Sequence, residues 1–288
     1  MKTIKYSFIL LVTAAIWGFS FVAQKSGMEH IGSFTFNGVR FAIGSLSLIP
    51  LYLYLKRKKS YPIHSINKKA RLQGLYLGLV LFLAASLQQI GMIYTSAAKG
   101  GFITSLYVVL VPLFWAILGK RIRLNIWFAV VLTLLGLYLL SFKDNLIINT
   151  GDALILMSAL FWAIHIMLIE TFVQKSDVIL LSVIQFGITA FLSLMIALFL
   201  EEYSYKHLQL AAIPILYAGL CSVGIAYTLQ IFAQKKVPSE VAAIVLSFES
   251  AFAMLGGWLI LGEQHQPKAL MGAALMLIGI ILSQIKIR

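Results

Sequence analysis

Ten runs of predominantly apolar residues take up nearly the whole chain, at 7–24, 33–55, 72–94, 98–118, 125–142, 151–173, 178–199, 211–233, 238–261 and 269–285. Each is close to the roughly 20 residues that carry a helix across a bilayer. Lipid offers backbone N–H and C=O groups no hydrogen-bond partner, so each run must close its hydrogen bonds within itself. The expected fold is therefore an all-α membrane protein of ten transmembrane helices. Composition agrees, with 60% hydrophobic and 11% charged residues, against about 25% charged in soluble domains. This balance excludes a soluble enzyme and a disordered chain. Cys221 is the only cysteine, which excludes a disulfide framework and a CxxC metal or redox motif. No cofactor is expected.

The formal charge of +13 raises the question of nucleic acid, and the positions of the basic residues answer it. Ten spans put both termini on one side. With the termini in the cytoplasm, 17 Lys and Arg fall in cytoplasmic segments and five, Lys25, Lys99, Lys143, Lys206 and Lys268, in outer ones. That asymmetry is the positive-inside bias of a plasma (inner) membrane protein, with no nucleic-acid partner implied. Lys2 and Lys5 precede an apolar stretch as they would in a secretory signal, but Trp17, Phe19 and Phe21 stand where small residues would mark cleavage, so this reads as an uncleaved first helix. The longest polar connection, Lys56 to Arg71, suits a cytoplasmic loop resting on anionic membrane lipids.

An internal repeat divides the chain into 1–146 and 147–288. Trp17 precedes Arg40-Phe41 by 23 residues and Trp162 precedes Gln185-Phe186 by 23, an offset of 145 in both cases. Leu134-Leu135-Gly136-Leu137 is echoed by Leu277-Ile278-Gly279-Ile280 at an offset of 143. Five spans is an odd number, so the second copy enters the membrane from the opposite side. Two inverted five-helix repeats are the architecture of secondary transporters that alternate access around a midplane site.

Trp17-Gly18-Phe19-Ser20-Phe21, Arg40-Phe41, Tyr94-Thr95-Ser96-Ala97-Ala98-Lys99 and Leu110-Val111-Pro112, with Val237-Pro238-Ser239, Phe248-Glu249 and Leu261-Gly262-Glu263, resemble the EamA-type transporters of the drug/metabolite transporter superfamily. The resemblance covers essentially the whole chain. It implies a ten-helix, two-repeat transporter that exports amino acids or other small metabolites. The family follows the glutamate with proline; here Ser250 follows Glu249, so a straighter helix is expected. The first half keeps Pro112 and has Val111 where a matching acid would sit.

Several polar residues are candidates to bind a small-molecule substrate. Trp17, Ser20, Phe21 and Gln24 share one face of the first span, and Trp162, His165, Ile166 and Ile169 the equivalent face of the sixth. Such faces suit a cavity wall, or the packing of helices on one another. Arg40, with Asn37 one turn away, lies about 10 Å below the outer end, where it can clamp an anion or serve as a snorkelling anchor. Its counterpart is Gln185. His165 is either a structural donor or a proton carrier. Gln88, Gln89, Tyr94, Tyr227 and Gln230 can orient a polar ligand or join helices. Glu170, near the end of its span, suits an interfacial role. Glu249 stands about 16 Å from the cytoplasmic end; a carboxyl at that depth is protonated, paired or in a wet cavity. It can meet a substrate ammonium or a proton, or tie helices together. The fifth and tenth spans carry few polar residues and suit the lipid-facing periphery or a homodimer contact. The sequence has no HExxH or GxSxG motif and no nucleotide-binding motif. Beside a carrier, a passive channel or lipid flippase of the same architecture remains the alternative.

The topology is directly testable. In a Cys221→Ala background, an impermeant maleimide added to intact cells should label Asn149→Cys and not Ser60→Cys. The reverse pattern would overturn the orientation.

Overall fold

The apolar runs fold as helices whose ends fall where the charge pattern changes. The computed structural model describes residues 2–57, 68–141, 149–202, 204–264 and 267–285. Here α1 is Lys2–Gly27, α2 Ser33–Arg57 and α3 Lys68–Gly91, followed by a 3-10 turn at Met92–Tyr94. Next come α4 Ala97–Thr104, α5 Tyr107–Ile117, α6 Leu124–Ser141, α7 Thr150–Val173 and α8 Val178–Leu200. After α9 Tyr205–Leu210 and α10 Ala212–Leu216, a π-helical segment, Tyr217–Tyr227, leads into α11 Thr228–Gln234. The last helices are α12 Ser239–Leu246, α13 Glu249–Leu261 and α14 Lys268–Gln284. Residues 58–67 of the expected basic loop, the junction between the expected halves at 142–148, and Lys286 and Arg288 lie outside the described residues.

The protein is an all-α, multi-span membrane protein. Eight stretches among the described residues are long and apolar enough to cross a bilayer. The sequence led to an expectation of ten. The two that fall short are α6 and α14, 18 and 17 residues long. At 1.5 Å per residue they reach about 25 Å, under the ~30 Å of a typical hydrocarbon core.

Three expected continuous spans are interrupted. The fourth is α4 and α5 with a break at Ser105–Leu106, the ninth is α12 and α13 with a break at Ser247–Phe248, and the eighth changes to π-helix in its middle. The break before Glu249 corrects the straighter helix expected from Ser250. The serines themselves loosen the turn. Ser250 donates both N–H (3.1 Å) and Oγ–H (2.8 Å) to the Ser247 carbonyl, and Ser105 Oγ donates to the same oxygen from across the bundle at 3.1 Å. Ala251 N–H turns to Phe248 O instead. Hydroxyls that take a helix carbonyl bend the helix without a proline.

Helix ends are closed by side chains. Asn149 and Asp152 form a capping box at α7, and Asp177 caps α8. Glu201 accepts the Phe34 and Thr35 N–H groups of α2 at 2.8 and 2.7 Å. These satisfy donors that a helix N-terminus otherwise leaves orphaned.

In the packed bundle α2 runs along α8 and the π segment, α3 along α7 and α8, and α1 along α13, while α6 and α14 pair with each other. The α6–α14 seam is backbone on backbone: a Cβ on Gly136 would sit 2.5 Å from Gly272 O, and one on Gly272 the same distance from Gly136 O. Outward rows stay apolar and exposed, with Phe128, Leu135, Leu270 and Ile281 each at least half exposed, as lipid-facing positions are.

The seam predicts an asymmetry in stability. Gly136→Leu should destabilise the protein by about 1–3 kcal/mol or more, as overpacking does, whereas Phe128→Ala on the outward row should change little. Thermal unfolding of the purified protein in detergent measures both.

Candidate functional site

The two breaks meet. Ser105 and Tyr107 in the first half, and Ser247 and Glu249 in the second, occupy the same places relative to their breaks, 142 residues apart. They touch as pairs: Ser105 Oγ donates to Ser247 O at 3.1 Å and Tyr107 Oη donates to Glu249 Oε1 at 3.0 Å. Tyr107 and Glu249 are the first residues of α5 and α13, so each side chain projects from the start of a half-helix inside the bundle. The amide end of a helix favours negative charge, which suits Glu249. Counted from the breaks, the counterpart of Glu249 is Tyr107 rather than Val111.

Beside this crossing lies a cavity of about 30 Å³. Aromatic rings form much of its wall. Trp17 packs on Tyr227 with centroids 4.6 Å apart, and Tyr227 stacks on Trp162 at 6.0 Å and 24°. Trp17 Nε1 donates to Ser222 O at 3.3 Å, a carbonyl of the π segment. Such wide turns recur at functional sites.

Two ionisable groups line this cavity. Glu249 is 3% exposed and Arg40 2%. Arg40 Nε donates to Asn37 Oδ1 at 3.0 Å, and Asn37 Nδ2 is itself held by Ala85 O at 3.1 Å. The guanidinium carbon lies 5.0 Å from the Phe41 ring centroid and 5.7 Å from that of Phe36, cation–π distances. Among the described residues no carboxylate lies within ion-pair distance of Arg40. A buried cation held by an amide and two rings keeps donors for an anion that enters the cavity.

Of the residues singled out from the sequence, Trp17, Ser20, Gln24, Arg40, Gln88, Trp162, Tyr227, Glu249 and Gln230 line the cavity. Ser20 Oγ, Gln24 Oε1 and Gln230 Oε1 are buried there without a protein partner, and Gln88 Nε2 donates to Thr104 Oγ1 at 2.9 Å. Asn37, His165 and Gln185 sit behind this wall. His165 Nε2 and Gln185 Oε1 are 2.8 Å apart, both residues are fully buried, and the His165 ring contacts Trp162 and Tyr227 edge-on. Tyr94 is not brought to the site: it is 58% exposed at one end of the bundle, where its carbonyl accepts from Asn149 Nδ2. Sequence reasoning missed Tyr107, hidden in an apolar run. The signal that finds it is the match of Ser105-Leu106-Tyr107 with Ser247-Phe248-Glu249.

Polar contacts join the helices at both ends of the bundle. At one end Lys120 Nζ lies 2.9 Å from Glu240 and 3.6 Å from Glu170, and Glu170 accepts the Ser239 N–H and hydroxyl at the start of α12. Glu170 thus has a structural, end-of-bundle role. At the other end Glu263 accepts the Ala97 and Ala98 N–H groups of α4, Lys25 donates to Met92 O and Ile93 O, and Lys99 pairs with Asp152 at 2.6 Å. Among the described residues no group of three His, Cys, Asp or Glu side chains is placed to hold a metal ion.

Known proteins resemble this chain in fold or in sequence. A crystal structure with 16% sequence identity superposes with a TM-score of 0.79 over 97% of this chain and 96% of its own, a likeness of fold. An uncharacterized transporter of Archaeoglobus fulgidus is 29% identical over 279 residues, covering 96% of this chain and 85% of its own. The uncharacterized transporter YoaV of Bacillus subtilis is 26% identical over 298 residues, covering 95% and 94%. The EamA-like transporter family matches twice, over residues 4–142 and 149–284. The chain belongs to the EamA-like transporter family, and it is a membrane transporter rather than an enzyme.

Proposed function

We propose that this protein is a secondary transporter that exports amino acids or related small metabolites across the plasma (inner) membrane by alternating access around the midplane cavity. The observation that carries this reading is the pair of opposite charges on one aromatic-walled cavity. Arg40 is positioned for a carboxylate and Glu249 for an ammonium, with the Tyr227 ring packed between the two tryptophans. The trio of Trp17, Trp162 and Tyr227 is suited to the body of the substrate. Ser20, Gln24 and Gln88 add polar points along the same wall, and Asn37, His165 and Gln185 orient the lining from behind.

The mechanism follows from the two-fold plan. The chain crosses the membrane ten times as inverted five-helix repeats, 1–146 and 147–288, with both termini cytoplasmic. Two family matches of similar length and two helix breaks 142 residues apart that meet at the centre support this plan, as discontinuous helices do in other carriers. α6 and α14 cross as short, tightly paired peripheral helices, with lipid or a second copy of the chain against their outward rows. The cavity must widen to admit substrate, so one set of end contacts opens while the other holds. Glu249 meets the substrate's ammonium in the loaded carrier, and a proton competes for the same carboxyl, which makes export depend on pH.

Proteoliposome flux of radiolabelled protein L-amino acids tests the reading. Glu249→Gln keeps shape and hydrogen bonding but cannot ionise; it should fold, lose most transport, and leave a residual flux that no longer varies with pH. Arg40→Lys keeps charge but not the paired geometry, and should lower flux at limiting substrate by about tenfold or more, the scale of a charge-assisted hydrogen bond. Wild-type flux and pH profile in Glu249→Gln would remove that carboxyl from the mechanism, and near-normal flux in Arg40→Gln would make Arg40 an anchor only.

A further inference from the structure

In the cavity each ionisable group already has neutral protein partners: Glu249 holds the Tyr107 phenol, and Arg40 holds Asn37 and two aromatic faces. Leaving a buried carboxyl unpartnered is costly. A carrier that must return without cargo therefore needs an internal donor for Glu249 in its closed form.

We propose that Tyr107 is that donor: a positioning residue whose phenol stands in for the substrate's cationic group at Glu249 and so permits the unloaded carrier to reorient. The inference rests on the reading of Glu249 as a substrate contact. The geometry is specific to the task. Tyr107 and Glu249 each begin a half-helix at a break, and Ser105 and Ser247 join the same two breaks two residues earlier. The phenol bond therefore links the two halves of the chain where their broken helices cross. A substrate ammonium that takes the Glu249 carboxyl displaces the phenol and releases that link, while the Ser105–Ser247 bond remains as a pivot. The loaded carrier then needs no surrogate, because the substrate supplies the donor. Tyr107 thereby separates two steps that a purely structural tyrosine would affect alike: return without cargo and exchange with cargo.

The test uses the full-length protein with Tyr107→Phe, which keeps the ring and removes the hydroxyl. In proteoliposomes with radiolabelled protein L-amino acids, net efflux should fall by about tenfold or more, the factor that one hydrogen bond to a buried carboxyl carries. Counterflow with substrate saturating on both sides should stay within about twofold of wild type, which is much less than one such bond carries. An equal fall in both, or no fall in either, would overturn the proposal.

A second measurement needs no substrate. With Ser20→Cys as reporter in a Cys221→Ala background, a charged, impermeant methanethiosulfonate should react from both membrane sides when Tyr107 is present. With Tyr107→Phe the reaction should persist from one side and slow by about tenfold or more from the other. Unchanged two-sided reactivity would overturn the proposal. Repeating this with Glu249→Gln closes a double-mutant cycle: Tyr107→Phe should then have little effect, because no charge is left unpartnered, and an effect of equal size in both backgrounds would also overturn it. If the protein moves no amino acid at all, the substrate assignment fails on the flux measurement while the reactivity measurement still decides the role of Tyr107.

Discussion

A carboxyl and a guanidinium lie deep in a helical bundle whose outside is apolar, and almost every feature near the middle of the protein answers that constraint. Water cannot stabilise either charge cheaply at such depth. Glu249 is placed at the amide end of a half-helix and given a phenol donor. Arg40 is wrapped by two phenyl faces and an asparagine that is itself fixed by a main-chain carbonyl. Neither charge is paired with the other, so both keep capacity for a group arriving from outside the chain. A directly bonded Arg–Glu pair would have satisfied both groups within the chain.

Breaking the helices is what makes this arrangement possible. The break sets Glu249 at the start of α13, where it meets Tyr107 at the start of α5. The serine hydroxyls at 105 and 250 take over the Ser247 carbonyl of the loosened turn, so the interruption leaves that acceptor satisfied. Glycine seams such as Gly136–Gly272 bring neighbouring backbones close at the periphery. The periphery is thus held by close backbone packing and the centre by a few polar contacts. Of the two, the polar contacts are the easier to exchange for a ligand.

Within the proposed repeat, the two ends of the bundle are closed by the same positions carrying opposite charge. Lys25 and Glu170 are 145 residues apart, and Lys120 and Glu263 are 143 apart. Where one end has a lysine from the first helix of its half and a glutamate beyond the broken helix, the other has glutamate and lysine. The pair with Glu170 forms a direct ion pair and also involves Glu240, whereas Lys25 and Glu263 bind main-chain groups. The two sets of end contacts therefore differ in chemistry although they share a plan.

The sequence by itself determined the class of fold, because hydropathy over some 20 residues and the spacing of lysines and arginines are local properties that lipid reads directly. It also exposed most of the cavity wall. Trp17, Ser20 and Gln24 share a helical face, and a polar residue such as Arg40, Gln88 or Glu249 stands out against an apolar run. Tyr107 was hidden because a tyrosine within Val, Leu and Phe reads as packing, and its role comes from a partner 142 residues away. Tyr94 misled because a motif says nothing of where its side chain points once the chain turns. The break before Glu249 escaped the reading because Ser105 supplies part of it from another helix. Tertiary structure alone decided those matters, since each depends on which groups from distant parts of the chain meet and satisfy one another in the absence of water.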